Sequence, residues 1–358
     1  MTHTPAPVPT YVPGYGPSPV RRGVAPSAES HVPALVPRSW VAPVAIPADL
    51  ADRVRGLRDA SASENTRRAY LSDWRRWDTW CAERGYASVP AHPDTVCAYL
   101  ADQAERVKVS TLARHLATIS KAHQVAGVAN PCQSVAVRDT LRGLRRTRGT
   151  ARSEAPALVA PDLRATLDAL PDTLAGVRDR ALLLAGWCGG LRRSEVAGIT
   201  WGDLAHVAGG VVVTLTRSKT DQVGAGRQVP LPRQGVATWC PVAALDALRE
   251  RMAEHGPDLV ADSAPVFVTV SRWDSPTRRA LSGAAVAGVV TRRTAEAGLA
   301  TRYRGHSLRK GLVVAASEAG VTDSAIMATT GHRSVAMLRQ YQGQADLMSR
   351  AASKGLVG

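Results

Sequence analysis

The stretch GHRSVAMLRQY (331–341) places Tyr341 nine residues after His332. Two more motifs precede it in the chain, GGLRRSEV (189–196) and GHSLRKG (305–311). The three motifs together supply arginine, histidine and tyrosine side chains, and each motif alone would be a weak signal. Their combination and their order indicate a site that acts on a phosphate ester.

The chemistry of phosphodiester transfer explains why these residue types occur together. Paired guanidinium groups, here Arg192 and Arg309, neutralise the negative oxygens of a phosphate better than other side chains do. The imidazoles of His306 and His332 add hydrogen-bond donors or a proton acceptor near neutral pH. The phenol of Tyr341 can form a covalent phosphoryl-enzyme intermediate, which keeps the bond energy so that strands are rejoined without ATP. Neither a metal nor another cofactor is expected.

The order arginine, lysine, His-x-x-Arg, histidine, tyrosine resembles that of the tyrosine recombinase or phage integrase family, over about residues 61–343. The resemblance implies a mainly α fold with a small β-hairpin or sheet in the catalytic domain, arranged as a two-domain, C-shaped DNA clamp. It implies site-specific recombination through a 3′-phosphotyrosine intermediate. The expected partners are double-stranded DNA with a specific recombination site and further copies of the chain, as a homotetramer on two sites that is a monomer or weak oligomer when free.

The resemblance also assigns a role to each motif residue. Arg192 and Arg309 are the two phosphate clamps. His306 is the proton acceptor or positioner, and His332 bonds or packs near the scissile phosphate. Tyr341 is the nucleophile; for a lone tyrosine on an amphipathic helix, core packing would be the usual role.

Two further residues support this site. Lys219, in TRSKTDQ, resembles the hairpin lysine that protonates the departing 5′ oxygen, and lysine is scarce among the 45 basic residues of the chain. An ordinary turn lysine is the alternative. Glu195 is expected to support the Arg192 turn through hydrogen bonds to the arginine or the backbone, or else to be a plain charge at a helix N-terminus. Tyr303 is the nearest competitor of Tyr341, but it falls outside the motif.

The charge of the chain favours a polyanionic partner. Its 358 residues carry a formal net charge of +15, and clustered basic residues release counterions from a phosphate backbone. Nucleic acid is the obvious candidate; a basic solvated surface or a coding bias toward arginine is the alternative. The length predicts about two domains.

Cysteine usage and hydropathy predict a reducing compartment and no membrane contact. The five cysteines are odd in number and widely spaced, which suggests neither a disulfide framework nor a zinc site. No apolar run of about 18 residues and no signal-peptide core occur. The expected location is cytoplasmic and nucleoid-associated.

Composition divides the chain into four parts. We expect a disordered, proline-rich arm over 1–47, because such a stretch cannot build a core. A helical, SAM-like core-binding domain over 48–147 follows, then a linker over 148–160. The catalytic domain, with a short C-terminal tail, occupies 161–358.

The core-binding domain should be a set of helices with one basic face. Ser61 and Glu64 fit a capping box, and Tyr70, Trp74, Trp77 and Cys81 follow at helical spacing. Further helices are predicted at 93–105, 110–125 and 134–146. For any one basic residue a solvated surface is as good an explanation as a phosphate contact, but together the face is expected to bind DNA through Arg67, Arg68, Arg75, Arg76, Lys108, Arg114, Lys121 and Arg145.

The catalytic domain should be α-rich with one β-hairpin. Strands are predicted at 211–216 and 228–231 with a polar turn between them. Helices are predicted at about 161–170, 177–188, 194–199, 241–254, 282–297, 307–319, 322–328 and 334–341.

Two rival functions share parts of this pattern. A type IB topoisomerase-like enzyme would use the same chemistry to relax one duplex, and it would not recombine two sites. A catalytically silent DNA-binding relative would bind DNA without a covalent adduct, although all six catalytic positions carry chemically competent residues.

Overall fold

The computed structural model of the protein describes residues 47–60, 64–149, 155–215, 226–332 and 334–342. Its backbone forms two compact units that divide between Thr150 and Ala151. Residues 1–46 of the predicted N-terminal arm (1–47), Ser61 and Lys219 lie outside the described residues. The C-shaped clamp and the exact domain limits stay predictions.

The N-terminal unit is entirely helical in its described part. The predicted helices at 93–105, 110–125 and 134–146 are confirmed to within a few residues, whereas the first helix had no sequence signal. Asn130, Ser134 and His92 cap helical segments with their side chains, which is why these boundaries were readable. The helices are α1 (Ala48–Ala60), α2 (Glu64–Glu83), α3 (Pro93–Ala104), α4 (Val109–Val125) and α5 (Val135–Arg148).

An aromatic cluster forms the core of this unit. Trp77 stacks on Trp80 with ring centroids 5.9 Å apart, and Tyr99 meets both rings edge-on at 5.0 and 5.2 Å. Trp77 and Cys81 of the predicted apolar stripe are fully buried. Burial of such large rings supplies much of the stability of a small helical unit.

The C-terminal unit contains the eight helices that the sequence predicted. Thr173, Ser282 and Thr322 accept hydrogen bonds from backbone N–H groups at three of their N-termini. The helices are α6 (Ala160–Asp168), α7 (Leu174–Cys188), α8 (Arg193–Gly198), α9 (Pro241–Ala253), α10 (Gly283–Glu296), α11 (Gly305–Glu318), α12 (Asp323–Thr330) and α13 (Val335–Gln342).

Two antiparallel sheets accompany these helices. The predicted hairpin is present as β2 (Gly210–Leu215) and β3 (Arg227–Pro232), with Val213 opposite Val229. The sequence missed β1 (Leu204–Val207), which pairs with β2, because its side chains are mostly exposed and do not alternate. It also missed the short hairpin β4 (Val268–Val270) and β5 (Pro276–Ala280).

Helix α7 is the apolar centre of the C-terminal unit. Leu182, Leu183 and Leu184 are buried within it, and it packs mainly on α9 and α11. A side chain at Gly311 of α11 would place its Cβ 2.0 Å from the Leu158 carbonyl oxygen, so only glycine permits this approach. Close packing of α11 on Leu158 therefore fixes the 305–311 motif against the chain that leads into α6.

All five cysteines are free thiols, and Cys81 and Cys240 are buried. Within the described ranges, each helix is too short or too polar to cross a bilayer.

Candidate active site

A tight turn at the C-terminal end of α7 presents Arg192. Gly190 adopts a positive φ of 55°, and a Cβ there would lie 2.8 Å from Cγ2 of Thr330 and 2.9 Å from Cδ2 of Leu312. Both the positive φ and the lack of space for a Cβ therefore favour glycine at this position. The turn then places Arg192 as the N-cap residue of α8.

Glu195 holds this turn from the first turn of α8. Its Oε2 accepts a hydrogen bond from the backbone N–H of Arg192 at 2.9 Å, and its Oε1 accepts one from Nη1 of Arg192 at 2.5 Å. The Glu195 side chain is almost fully buried. Both contacts predicted from sequence, to the arginine and to the backbone, are present.

Helix α11 brings the second arginine to the same turn. Arg309 is buried, and its Nη1 donates to the carbonyl oxygen of Gly190 at 2.7 Å. His306, one turn earlier, is exposed. Two guanidinium groups from segments more than 100 residues apart thus meet at one glycine turn, which is the arrangement a phosphate clamp needs.

His332 completes this cluster after the C-cap of α12, where Gly331 is left-handed with φ 68°. Its Nδ1 lies 2.8 Å from Oγ1 of Thr330, and Thr330 Oγ1 donates its one proton to the Ile326 carbonyl oxygen at 2.6 Å. The hydroxyl must therefore accept from Nδ1–H of His332. In the neutral ring, Nε2 then carries the lone pair.

Burial, together with the positive charges of Arg309 and Arg192, lowers the pKa of His332 from its ordinary 6.5 to about 3. The imidazole is neutral at pH 7. A neutral ring with Nδ1–H engaged offers its other nitrogen as an acceptor, for example to a guanidinium, which can only donate.

Sequence reasoning missed Arg227, the first residue of β3. Its Nη2 lies 3.2 Å from Oε2 of Glu195, and its Nη1 donates to the Thr329 carbonyl oxygen. Burial lowers the pKa of Arg227 and Glu195 opposes this shift, but a guanidinium stays charged at neutral pH. The sequence marked it only as the last residue of a polar turn, and nothing distinguished it from the other arginines.

Of the two tyrosines considered from the sequence, Tyr341 lies in α13 and Tyr303 precedes α11. Leu338 of α13 packs with Val313 of α11 and Ile326 of α12. Tyr303, the competitor of Tyr341, is buried, and its hydroxyl donates to the Asp162 carboxylate. Burial, with Asp162, raises the pKa of Tyr303 to about 12, so that this phenol is a poor nucleophile.

The basic residues predicted to contact DNA are surface residues of the N-terminal unit, but Arg114 also has an internal partner. Arg114 donates from Nε and Nη2 to the buried carboxylate of Asp73, at 2.6 and 2.9 Å. A phosphate would have to compete with that ion pair. The exposed positions are Arg67, Arg68, Arg75, Arg76, Lys108, Arg114, Lys121 and Arg145.

An open cleft on the N-terminal unit adds two arginines that the sequence did not single out. Arg84 lies with its Cζ 4.5 Å from the ring centroid of Trp80, and Arg106 lines the cleft beside Arg75 and Arg76. Four arginines and one carboxylate, that of Glu83, thus line the cleft, and this excess of positive charge is suited to a sugar-phosphate backbone.

The described residues contain no group of three or more histidine, cysteine or carboxylate side chains that could hold a metal ion.

Comparison with known proteins places the chain in a family. The phage integrase family model matches residues 157–347, and a phage integrase N-terminal SAM-like domain matches residues 54–128. An integrase/recombinase xerD homolog of Selenomonas ruminantium is 33% identical over 299 residues, covering 81% of this chain and 84% of that protein. The chain belongs to the phage integrase family, the tyrosine recombinases.

Other relatives are more distant. The recombinase cre of Escherichia phage P1 is 30% identical over 173 residues, covering 46% of this chain and 50% of that protein. A lambda integrase tetramer bound to a Holliday junction has a TM-score of 0.52 at 18% identity, covering 82% of this chain and 76% of that one. The Tn1549 transposon integrase in complex with circular intermediate DNA has a TM-score of 0.52 at 15% identity, covering 81% and 92%. These structures support the fold.

Proposed function

We propose that the protein is a site-specific DNA recombinase that cuts and rejoins DNA through a 3′-phosphotyrosine at Tyr341, without metal or ATP. The observation that carries this proposal is the meeting of Arg192, Arg309 and His332 at the Gly190 turn. Such preorganised donors lower the barrier when charge develops on a transferring phosphoryl group.

In the proposed cleavage step one phosphorus–oxygen bond forms and another breaks. The phenolic oxygen of Tyr341 attacks the scissile phosphorus, and the bond from phosphorus to the 5′ oxygen breaks. Lys219 gives a proton to the departing 5′ oxygen, while His306 accepts or positions the proton of the phenol. Arg192 and Arg309 stabilise the pentacoordinate phosphate.

Strand exchange follows from this chemistry. The phosphotyrosine keeps the bond energy, so the free 5′-hydroxyl of a partner duplex can attack it and release Tyr341. We propose that four protomers synapse two DNA sites, that the basic face of the N-terminal unit grips each duplex, and that 345–356 packs on a neighbour. The lambda integrase tetramer on a Holliday junction supports this assembly by analogy of fold. A protein with this substrate would act in the cytoplasm beside the nucleoid.

The test is an SDS-resistant adduct assay with nicked duplexes tiled from the DNA that flanks the gene, with a selection from random duplexes as a second source. Wild-type protein should form an adduct, and Tyr341→Phe should form none. An adduct with Tyr341→Phe, or recombinant products from that variant, would contradict the proposal. Relaxation of supercoiled DNA without recombination between two sites would favour the topoisomerase-like alternative.

A further inference from the structure

The carboxylate of Glu195 lies between two guanidinium groups. Oε1 of Glu195 is 2.5 Å from Nη1 of Arg192, and its Oε2 is 3.2 Å from Nη2 of Arg227. The Glu195 side chain is 1% exposed, and the two arginine side chains are 16% and 17% exposed. The three groups form one buried ionic unit with a small opening on the arginine side.

Arg227 also grips the turn that carries His332. Its Nη1 donates to the Thr329 carbonyl oxygen, and a Cβ built on Gly331 would lie 3.1 Å from its Nε. Arg192 reaches the same turn through Nη2, 3.5 Å from the Gly331 carbonyl oxygen. Arg227 therefore joins β3, α8 and the end of α12, which supply separate parts of the site.

The charge balance shows why a second arginine on Glu195 is useful. A single Arg192–Glu195 pair would be neutral, and its guanidinium would have little attraction left for a phosphate. With Arg227 and Arg309 in the same cluster, three guanidinium charges oppose one carboxylate. A phosphodiester with one negative charge then meets a site with two positive charges in excess, instead of one.

We infer that Arg227 is a positioning residue of the active site: it shares the charge of Glu195, so that Arg192 remains electrostatically available to the scissile phosphate. This inference rests on the proposed function. Arg227 acts through Arg192 and through the Gly331 turn, and it is not assigned a contact with the reacting atoms.

The experiment measures adduct formation on a nicked duplex at saturating DNA, for the full chain. Arg227→Gln should form the Tyr341 adduct roughly tenfold more slowly or worse, a change of the size seen for residues coupled in one ionic network. Arg227→Lys should lie between this variant and wild type, because it restores the charge without the planar fork. Arg233→Gln, at an exposed position just beyond the other end of β3, is the matched control and should keep the wild-type rate.

A double variant separates charge sharing from support of the fold. If Arg227 offsets the charge of Glu195, then Glu195→Gln placed in the Arg227→Gln protein should recover the rate by roughly tenfold, a coupling of about the size seen between residues in direct contact. Thermal unfolding checks that all variants are folded. A purely structural role predicts instead that the losses of the two substitutions multiply.

The outcomes for the two proposals differ. A Tyr341-dependent adduct in wild type together with a normal rate in Arg227→Gln, or with no recovery in the double variant, overturns the role of Arg227 alone. A wild-type protein that forms no adduct, or one independent of Tyr341, overturns the proposed function and with it the role of Arg227.

Discussion

Two buried carboxylates near helix α7, Asp179 within it and Glu195 just beyond its C-terminal end, each bind arginines in a different way. Asp179 accepts from Arg178 at 2.6 Å and from Arg293 at 2.7 Å. Those guanidinium groups have further acceptors, the Val268 carbonyl oxygen and the Glu296 carboxylate. The two arginines that bind Glu195 donate their other hydrogen bonds mainly to backbone carbonyl oxygens, those of Gly331 and Thr329.

The difference separates an ionic network that stabilises the fold from one that serves a site. Around Asp179 a second carboxylate, Glu296, offsets part of the positive charge of three arginines. Two of them, Arg178 and Arg293, are 6% and 10% exposed, and the third, Arg292, is half-exposed. Around Glu195 the positive charge is in excess and the arginines are slightly more open. The same residue types therefore lock α7 to α10 in one place and remain available to an anion in the other.

The largest expected effect is on stability, at Asp179. Asp179→Asn removes the carboxylate that pairs with the buried Arg178 and leaves Arg293 with Glu296 alone, and breaking a buried pair costs about 3–5 kcal/mol of unfolding free energy. Thermal or denaturant unfolding measures this loss. Asp258→Asn, which removes a half-exposed partner of Arg278, should cost about 0–1 kcal/mol. Equal losses in the two variants would remove the structural role assigned to the Asp179 network.

The next effect is on catalysis, at Arg309. Arg309→Lys removes a planar fork whose Nη1 donates to Gly190, and we expect adduct formation to slow by about 10²–10³-fold. The rate at saturating DNA is the measurement, with Arg251→Lys on α9 as a control that should react normally. An Arg309→Lys protein as fast as wild type would mean that the cluster at Gly190 is only structural.

A third effect appears in the pH dependence of stability. Because the pKa of His332 falls from its ordinary 6.5 to about 3 on folding, the unfolded chain binds a proton first as the pH drops. Above pH 6.5 the His332 ring is mainly neutral in both the folded and the unfolded chain, so it does not lower the stability there. Between pH 6.5 and 5 this group should cost about 2 kcal/mol of stability.

Unfolding at pH 7 and pH 5 tests this difference. His332→Gln should lose less stability on acidification than wild type, whereas His255→Gln, at an exposed position, should behave like wild type. An unchanged acid sensitivity in His332→Gln would show that the ring is not held neutral by its arginine neighbours.

The smallest effect concerns Thr330, which sets the tautomer of His332. Thr330→Val keeps the shape but removes the hydroxyl, and we expect a loss of about 1 kcal/mol in stability and a roughly tenfold slower adduct. Thr330→Ser keeps the hydroxyl and should keep the wild-type adduct rate, although the loss of a buried methyl group should cost about 1 kcal/mol of stability. Nitrogen-15 NMR of the ring should show Nδ1 protonated in wild type and a mixture of tautomers in Thr330→Val; a wild-type ring protonated at Nε2 would contradict the assignment.

Local patterns predicted much of the fold. The hydroxyl caps at Ser134 and Thr173 and the apolar spacing around Trp77 are signals within a few residues, so the helices were readable. Strand β1 was missed because its side chains are mostly exposed and do not alternate, and the β4–β5 hairpin was missed because its strands are only three and five residues long.

Like the fold, the candidate site contains residues that local sequence patterns predicted and residues that they did not. Ordered motifs identified Arg192, Glu195 and Arg309, and the structure brings these three together. Arg227 could not be found from sequence, because its importance depends on the register of β2 and β3, which brings it to a glutamate 32 residues away. The neutral state of His332 likewise depends on burial among cations, and no spacing in the chain reports that.

The most direct test of the central claim is mass spectrometry of the peptide that carries the DNA. After adduct formation, nuclease digestion and trypsin cleavage, the residual nucleotide should be attached to the peptide 340–350, QYQGQADLMSR, through Tyr341. A nucleotide on the peptide that contains Tyr303, or on a serine or histidine elsewhere, would contradict the assignment of Tyr341 as the nucleophile.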